Sequence, residues 1–366
     1  MDKKVRVGMI GTRGWSEMIH INYLNKHPGV DLAAVCGRDR VYTTEIAQKY
    51  AIPHIFTDYR QMIDQVELDA VVVCSPDDLH YPMTMQALDK GLHVLCEKPL
   101  AYDVAQARAM RDKAETAGVI HMAFFTFRWV PLYLRLQHLI EEGYIGRCLS
   151  CDFHNLDGQA NNTGYRWQMD SHRSNGVLGD RGVHSIDMAR WLVDDIASVS
   201  ARLETFLDWK APDGGKLDAS CDDALLMVRF ANGAEGIIHA SYVSFQADHG
   251  HTQRVVLHGD QGTLIAELPI FGCESSGSYI RGARYDDKAF QELPISENPE
   301  KDALYRKDLL SYAFDLFERE PVGDNLFINS ILANQPVKPD FNDGLKAQEV
   351  ITAAQESHNL GKWVSV

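Results

Sequence analysis

The sequence has no apolar run approaching the roughly 20 residues needed to cross a bilayer, so no membrane partner is expected. Positive charge is also scarce: Lys and Arg number 36 against 51 Asp and Glu, a net charge of 36 − 51 = −15. A nucleic-acid surface needs clustered cations to neutralise phosphates, and this balance argues against one. It leaves room for a small anionic cofactor, which backbone N–H groups and one or two Arg side chains can hold locally. The seven cysteines are odd in number and scattered, which excludes a disulfide scaffold and favours a reducing, cytoplasmic setting. Met1-Asp2-Lys3-Lys4-Val5 runs directly into an apolar segment, without the succession of regions that marks a secretory signal.

Metal-binding patterns are equally thin. Cys148-Leu149-Ser150-Cys151 has no second C-x-x-C to complete a zinc site. It falls in a strand-like segment, where residues three apart point to opposite faces. Two separately packed thiols are expected. His249 and His251 lie on a glycine-containing loop and are expected to face solvent. No metal site is expected.

What is present is a change of periodicity along 366 residues, long enough for two domains. The first third alternates apolar runs (Val5–Ile10, Leu32–Cys36, Ala70–Cys74, His93–Cys96, Val119–Phe125) with helical stretches (Thr43–Tyr50, Tyr59–Gln65, Tyr81–Lys90, Asp103–Ala117). That rhythm predicts βαβ units and a mostly parallel sheet. Asp103 is a natural N-cap and Gly118 a natural C-terminal stop. After a helix over Pro131–Gly143, strands dominate: Cys148–His154, Val199–Leu207, Ala224–Phe230, Ala234–Tyr242, Arg254–His258 and Thr263–Leu268. Short turns such as Asn232-Gly233 separate them and predict antiparallel pairing. Helices over Leu304–Glu318 and Leu345–Ser357 close the chain. The expected architecture is an α/β Rossmann domain over 1–126 and an α+β domain with a large, open, predominantly antiparallel sheet over 127–366.

Gly11, Thr12, Arg13 and Gly14 follow the first strand and precede a helix-like stretch. In the dinucleotide fingerprint, glycines there make the tight turn and admit the pyrophosphate. Counted from Gly11, Arg13 and Ser16 occupy the later glycine positions, so the match is degenerate and rests on its strand–turn–helix context. At the end of the second strand stand Gly37 and Arg38. A carboxylate there would bind the ribose 2′-hydroxyl of NAD. A small residue followed by Arg suits the 2′-phosphate of NADP, so NADP(H) is expected over NAD(H).

Lys98 ends another parallel strand, on the side where open α/β sheets hold ligands, and could donate to a substrate oxygen. Asp180 lies four residues before His184, close enough on a helix to set its tautomer. A capping Asp and a buried His fit the same spacing. Tyr165, Arg166 and Trp167 set aromatics beside an Arg, a combination that can stack on a ring and bind hydroxyls, or form a surface loop.

In order, the Gly11 turn, Ser75-Pro76-Asp77-Asp78-Leu79-His80, Glu97-Lys98-Pro99, Arg128-Trp129-Val130-Pro131 and Asp180-x-Gly182-x-His184-x-x-Asp187 resemble the glucose–fructose oxidoreductase/inositol dehydrogenase/rhizopine-catabolism (Gfo/Idh/MocA) family over essentially the whole chain. The resemblance implies a nicotinamide cofactor, sugar, polyol or inositol-like substrates, and homodimers or homotetramers built through sheet faces. It adds Ser75, Pro76, His80, Glu97, Lys98 and Arg128 to the cofactor set. It implies hydride transfer at a secondary alcohol, with His184 as acid–base, Asp180 as its orienter and Lys98 on the reacting oxygen. Asp77 departs from the family's Asn and, when ionised, cannot donate as an amide does. Ser174-Asn175-Gly176 replaces a glycine triplet, and Thr126 replaces an Asn. A redox-assisted glycoside hydrolase and a non-catalytic dinucleotide sensor are the competing readings; intact Lys98 and His184 favour the dehydrogenase.

Overall fold

The computed structural model describes residues 4–158, 162–247, 250–270, 277–307 and 316–366. Two compact units divide the chain. One runs to Phe125 and takes in a later segment ending at Gln348; the other holds the intervening residues and the C-terminus.

The first unit is built on β1 (Val5–Ile10), β2 (Val30–Cys36), β3 (His54–Phe56), β4 (Ala70–Val73), β5 (His93–Glu97) and β6 (His121–Phe124). All pairings are parallel, in the order β3-β2-β1-β4-β5-β6. The order reverses between β1 and β4, and the crevice at the carboxyl ends beside such a switch point is where doubly wound sheets bind ligands. Both faces of the sheet are covered, which is why its strands are continuous Val, Ala, Leu and Cys runs rather than alternating ones. The connecting helices are α1 (Asn22–Lys26), α2 (Arg40–Lys49), α3 (Tyr59–Gln65), α4 (Asp77–Asp89) and α5 (Val104–Ala117). Asp103 caps α5 by accepting the Gln106 N–H at 2.8 Å, and Gly118 ends it in the left-handed region at φ 63°. A late helix, Gly323–Ala333, packs on α1, β1, β5 and β6.

Among the described residues, the second unit carries nine strands: β7 (Cys148–Leu156), β8 (Ile196–Glu204), β9 (Asp223–Phe230), β10 (Glu235–Ser241), β11 (Thr252–Gly259), β12 (Gly262–Pro269), β13 (Tyr279–Arg284), β14 (Gln291–Leu293) and β15 (Val364–Ser365). Their order is β14-β13-β12-β11-β7-β10-β9-β8-β15, antiparallel except where β7 meets β10. Helices α6 (Pro131–Glu141) and α7 (Val183–Leu192) pack on one face. The alternation in β9 shows the consequence: Ala224, Leu226, Val228 and Phe230 are buried, while Leu225 and Met227 are exposed. The expected helix Leu304–Glu318 overlaps α8 (Pro299–Lys307) and otherwise falls largely outside the described residues.

The C-x-x-C behaves differently from expectation. Ser150 pairs with His258 but Cys148 pairs with Gly259, so Leu149 is an extra residue in the ladder. A bulge of this kind resets the alternation of faces. Cys148 is thereby turned to the side of Cys151; its thiol donates to the Ser150 carbonyl at 3.6 Å and that of Cys151 to the Glu235 carbonyl at 3.8 Å.

Candidate active site

The turn after β1 is fixed by backbone geometry. Gly11 has φ 116°, a region L side chains rarely adopt, and a Cβ there would lie 2.1 Å from the Cys74 carbonyl oxygen. Its N–H donates to the Cys36 carbonyl at 2.9 Å, tying the turn to the end of β2. Thr12 is buried, and a Cβ on Gly37 would sit 2.6 Å from its hydroxyl oxygen, so only glycine lets the two loops approach. Gly14 faces open space. The chain then enters a π-helical turn, Ser16–Ile21, before α1. Wide turns of this kind concentrate at functional sites. A glycine turn at the switch point, open above Gly14 and followed by helix, fits a dinucleotide pyrophosphate.

Beside it, Arg13 is drawn to Asp39 at 2.6 Å and lies 4.3 Å over the Tyr42 ring. Asp39 also caps α2, accepting from the Val41 and Tyr42 N–H groups, and its carboxyl is held below the ordinary carboxylate range by those bonds and by Arg13. Arg38 is exposed at the strand end.

The ends of β4 and β5 bring Ser75, Pro76, His80, Glu97 and Lys98 into one region. His80, buried on α4, sets Nδ1 2.8 Å from the Pro99 carbonyl and Nε2 2.8 Å from the Ser75 carbonyl. Burial lowers its pKa, and the neutral ring donates to one of the two carbonyls, tying α4 to the loop that carries it. Glu97 accepts the Lys98 main-chain N–H at 3.0 Å. His20, which sequence reasoning missed, lies within hydrogen-bond reach of Glu97 (3.2 Å) and of Asp324 (2.9 Å). No local pattern marks this group, because Asp324 lies 304 positions from His20 in sequence.

In the second unit, Arg128 occupies a 3-10 turn, Thr126–Trp129, and forks onto Asp187 of α7 at 2.9 and 2.6 Å. The neighbouring Phe127 packs edge-on against His184, with ring centres 4.6 Å apart. His184 is buried in the first turn of α7. Asp180 sits on a π-helical turn, Leu178–Gly182, that leads into it. Asp180 accepts a short hydrogen bond from the Tyr242 hydroxyl and lies 3.6 Å from the Arg181 guanidinium. Burial, then the Asp180 charge, push the Tyr242 hydroxyl well above its ordinary pKa, so it remains a donor. Tyr242 and Arg181 were not anticipated: Tyr242 follows β10, 62 positions from Asp180.

Arg166 lies 6.0 Å over the Trp209 ring. Tyr165 instead donates to Asp170 at 3.2 Å, and Trp167 begins a 3-10 turn, Trp167–Met169. His251 does not face solvent as expected. It is buried, with Nε2 2.5 Å from Asn155 Oδ1, because its loop leads directly into the central strand β11. His249 lies outside the described residues.

A family model described as an oxidoreductase family with an NAD-binding Rossmann fold matches residues 5–125, and a GFO/IDH/MocA C-terminal domain matches 133–265. Levoglucosan dehydrogenase of Pseudarthrobacter phenanthrenivorans is 28% identical over 346 residues, covering 88% of this chain and 86% of that protein. Myo-inositol 2-dehydrogenase of Thermotoga maritima is 27% identical over 286 residues, covering 77% and 81%. A solved levoglucosan dehydrogenase in complex with NADH superposes with a TM-score of 0.83 at 25% identity, covering 100% of this chain and 99% of that one. The two family matches, in order along one chain whose sheets have the architecture described above, establish that it belongs to the GFO/IDH/MocA oxidoreductase family.

Proposed function

We propose that the protein is a nicotinamide-dependent dehydrogenase that transfers a hydride between NAD(P) and a secondary alcohol, or its ketone, on a sugar, polyol or inositol-like substrate. One observation carries the reading. The dinucleotide-binding unit itself presents Lys98 at the carboxyl end of β5, next to the strand that borders the switch-point crevice. The relatives named above, acting by name on levoglucosan and myo-inositol, support the substrate class.

When bound, the nicotinamide ring supplies the hydride acceptor or donor. Gly11, Thr12, Arg13 and Gly14 would hold its pyrophosphate, with Gly37 and Arg38 at the adenosine ribose and Ser75, Pro76, His80, Glu97 and Lys98 completing the pocket; the family resemblance adds Arg128 to the cofactor contacts. His184 takes the hydroxyl proton in oxidation and returns it in reduction. Asp180 orients His184, and Tyr242 steadies Asp180 by donating to its carboxylate. Lys98 hydrogen-bonds the reacting oxygen and stabilises its developing charge. Arg166, with Tyr165 and Trp167, lines the substrate side.

NADP(H) is the preferred cofactor. Gly37 offers no carboxylate to a 2′-hydroxyl, Asp39 is engaged by Arg13 and the α2 cap, and Arg38 is exposed for a phosphate. We place the functional division at residues 126–127, one residue past the end of the first compact unit, to which the later segment ending at Gln348 also belongs. The open sheet face, with Leu225, Met227 and Ile237 exposed, supports a homodimer or homotetramer. A cytoplasmic location is in keeping with the free thiols of the described cysteines. A screen of sugars, inositols and sugar acids with NAD⁺ and NADP⁺, read by absorbance of the reduced cofactor, tests the function. Turnover with a member of these classes supports it. Failure across all of them, with cofactor binding intact, refutes it.

A further inference from the structure

His20 has no solvent exposure. Its Nδ1 lies 2.9 and 3.1 Å from the two Asp324 carboxylate oxygens, and its Nε2 lies 3.2 Å from Glu97 Oε1. Asp324 belongs to the Gly323–Ala333 helix, and both carboxylates are nearly fully buried. The remaining Glu97 oxygen accepts the Lys98 N–H at 3.0 Å. Cys74, at the end of β4, supplies the other titratable group facing the imidazole, and the Phe124 ring closes one side at 4.6 Å.

The chemistry of imidazole constrains this arrangement. A neutral ring has one N–H and one lone pair, so between two carboxylates one contact would set a lone pair against an anionic oxygen. An imidazolium donates to both. Burial alone disfavours the charged ring, but Asp324, Cys74 and Glu97 outweigh it and hold His20 well above its ordinary pKa. Removing the cation would leave two carboxylates converging on one buried space, which favours protonating one of them. Glu97 would then lose the restraint that keeps its second oxygen on the Lys98 N–H.

We propose that His20 is a positioning residue: an imidazolium clamped between Asp324 and Glu97 that fixes the point at which Lys98 leaves β5. The inference rests on the reading of Lys98 as the group that binds the reacting oxygen. His20 touches neither the substrate nor its reacting carbon; it acts through Glu97.

Four measurements on the 366-residue chain test it. In histidine ring ¹⁵N spectra, with His20→Gln used for assignment, His20 shows two protonated nitrogens at pH 8. A neutral tautomer there overturns the proposal. In single-turnover hydride transfer with saturating cofactor, folded His20→Gln is slower by about 10- to 100-fold, the scale of a small misplacement of a reacting group. Its pH–rate profile is displaced, because a buried carboxylate now takes up a proton. A variant that melts earlier but transfers hydride at the wild-type rate, with the wild-type pH profile, has lost only a structural contact and overturns the proposal. Lys98→Met is measured in parallel. Wild-type chemistry in Lys98→Met refutes the Lys98 reading itself; collapse in Lys98→Met with no change in His20→Gln refutes the clamp alone. One equivalent of zinc that survives dialysis against chelator in wild type and is lost in His20→Gln shows a metal in place of the proton, and also overturns it.

Discussion

Replacing Arg128 with Met separates two roles for this residue. The resemblance implies a cofactor contact; the geometry gives Arg128 a fork of two bonds, at 2.9 and 2.6 Å, onto Asp187. The side chains are 11% and 2% exposed, so solvent screens the pair little. Arg128→Met keeps the apolar stem and leaves the Asp187 carboxylate buried without its cation. Breaking a buried pair in this way costs about 3–5 kcal/mol, a large share of the ~5–15 kcal/mol that holds a typical protein folded. For a unit of roughly 200 residues that is a fall in Tm of roughly 6–20 °C. The double variant Arg128→Met/Asp187→Leu removes both charges and should recover most of the loss, since no orphan remains. The assay is thermal unfolding followed by circular dichroism, with cofactor titration of each folded variant. The fork also tethers α7 to the turn carrying Phe127, which packs on His184, so hydride transfer should slow in the single variant. An unchanged Tm in Arg128→Met would refute the structural account, and a weakened cofactor affinity beside it would leave the cofactor contact as its role.

Further outcomes follow from other parts of the molecule. Arg38→Ala should shift the NADP(H)/NAD(H) affinity ratio toward NAD(H) by about 10- to 100-fold, the loss of a charge-assisted phosphate contact of roughly 1.5–3 kcal/mol. Paired titrations check this, and an unchanged ratio removes Arg38 from the 2′-phosphate. Activity should survive exhaustive chelation, because the proposed acid–base set is Lys98, Asp180 and His184; activity lost to chelator and restored by zinc contradicts that set. His93 and His121 use Nδ1 as an acceptor for the Ile120 and Phe341 N–H groups, and burial lowers both pKa values. Each therefore contributes stability above the unfolded value of about 6.5 that is lost as pH falls through the lower folded value. Imidazole NMR titration should place both midpoints below the ordinary value, and a midpoint above it contradicts the assignment.

Much of the first unit was legible because buried parallel strands leave unmistakable apolar runs. Val5–Ile10 and Tyr59–Gln65 carry their own boundaries, and Asp103 and Gly118 bracket α5 as their chemistry dictates. Other elements were hidden. The edge strand β3 spans only three residues, too few for a period, and α4 starts at Asp77, ahead of the expected Tyr81, with Pro82 inside it. The helix Gly323–Ala333 and the strands β13, β14 and β15 gave no clear repeat. The bulge at Leu149 could not be anticipated, since register depends on the partner strand, and with it failed the expected separation of Cys148 from Cys151. At the candidate site, the residues expected from the sequence are those tied to local motifs: Gly11, Glu97, Lys98, Asp180 and His184. The partners that set their chemistry, His20, Asp324, Arg181 and Tyr242, come largely from distant segments and have no spacing to read.

The most direct measurement is single-turnover hydride transfer to the nicotinamide in wild type and in folded His184→Ala, with cofactor titrated in both. The account predicts a loss of about 10²- to 10⁴-fold, the range for removing a general acid–base group, with dinucleotide affinity nearly unchanged. Near-wild-type transfer in His184→Ala would contradict it.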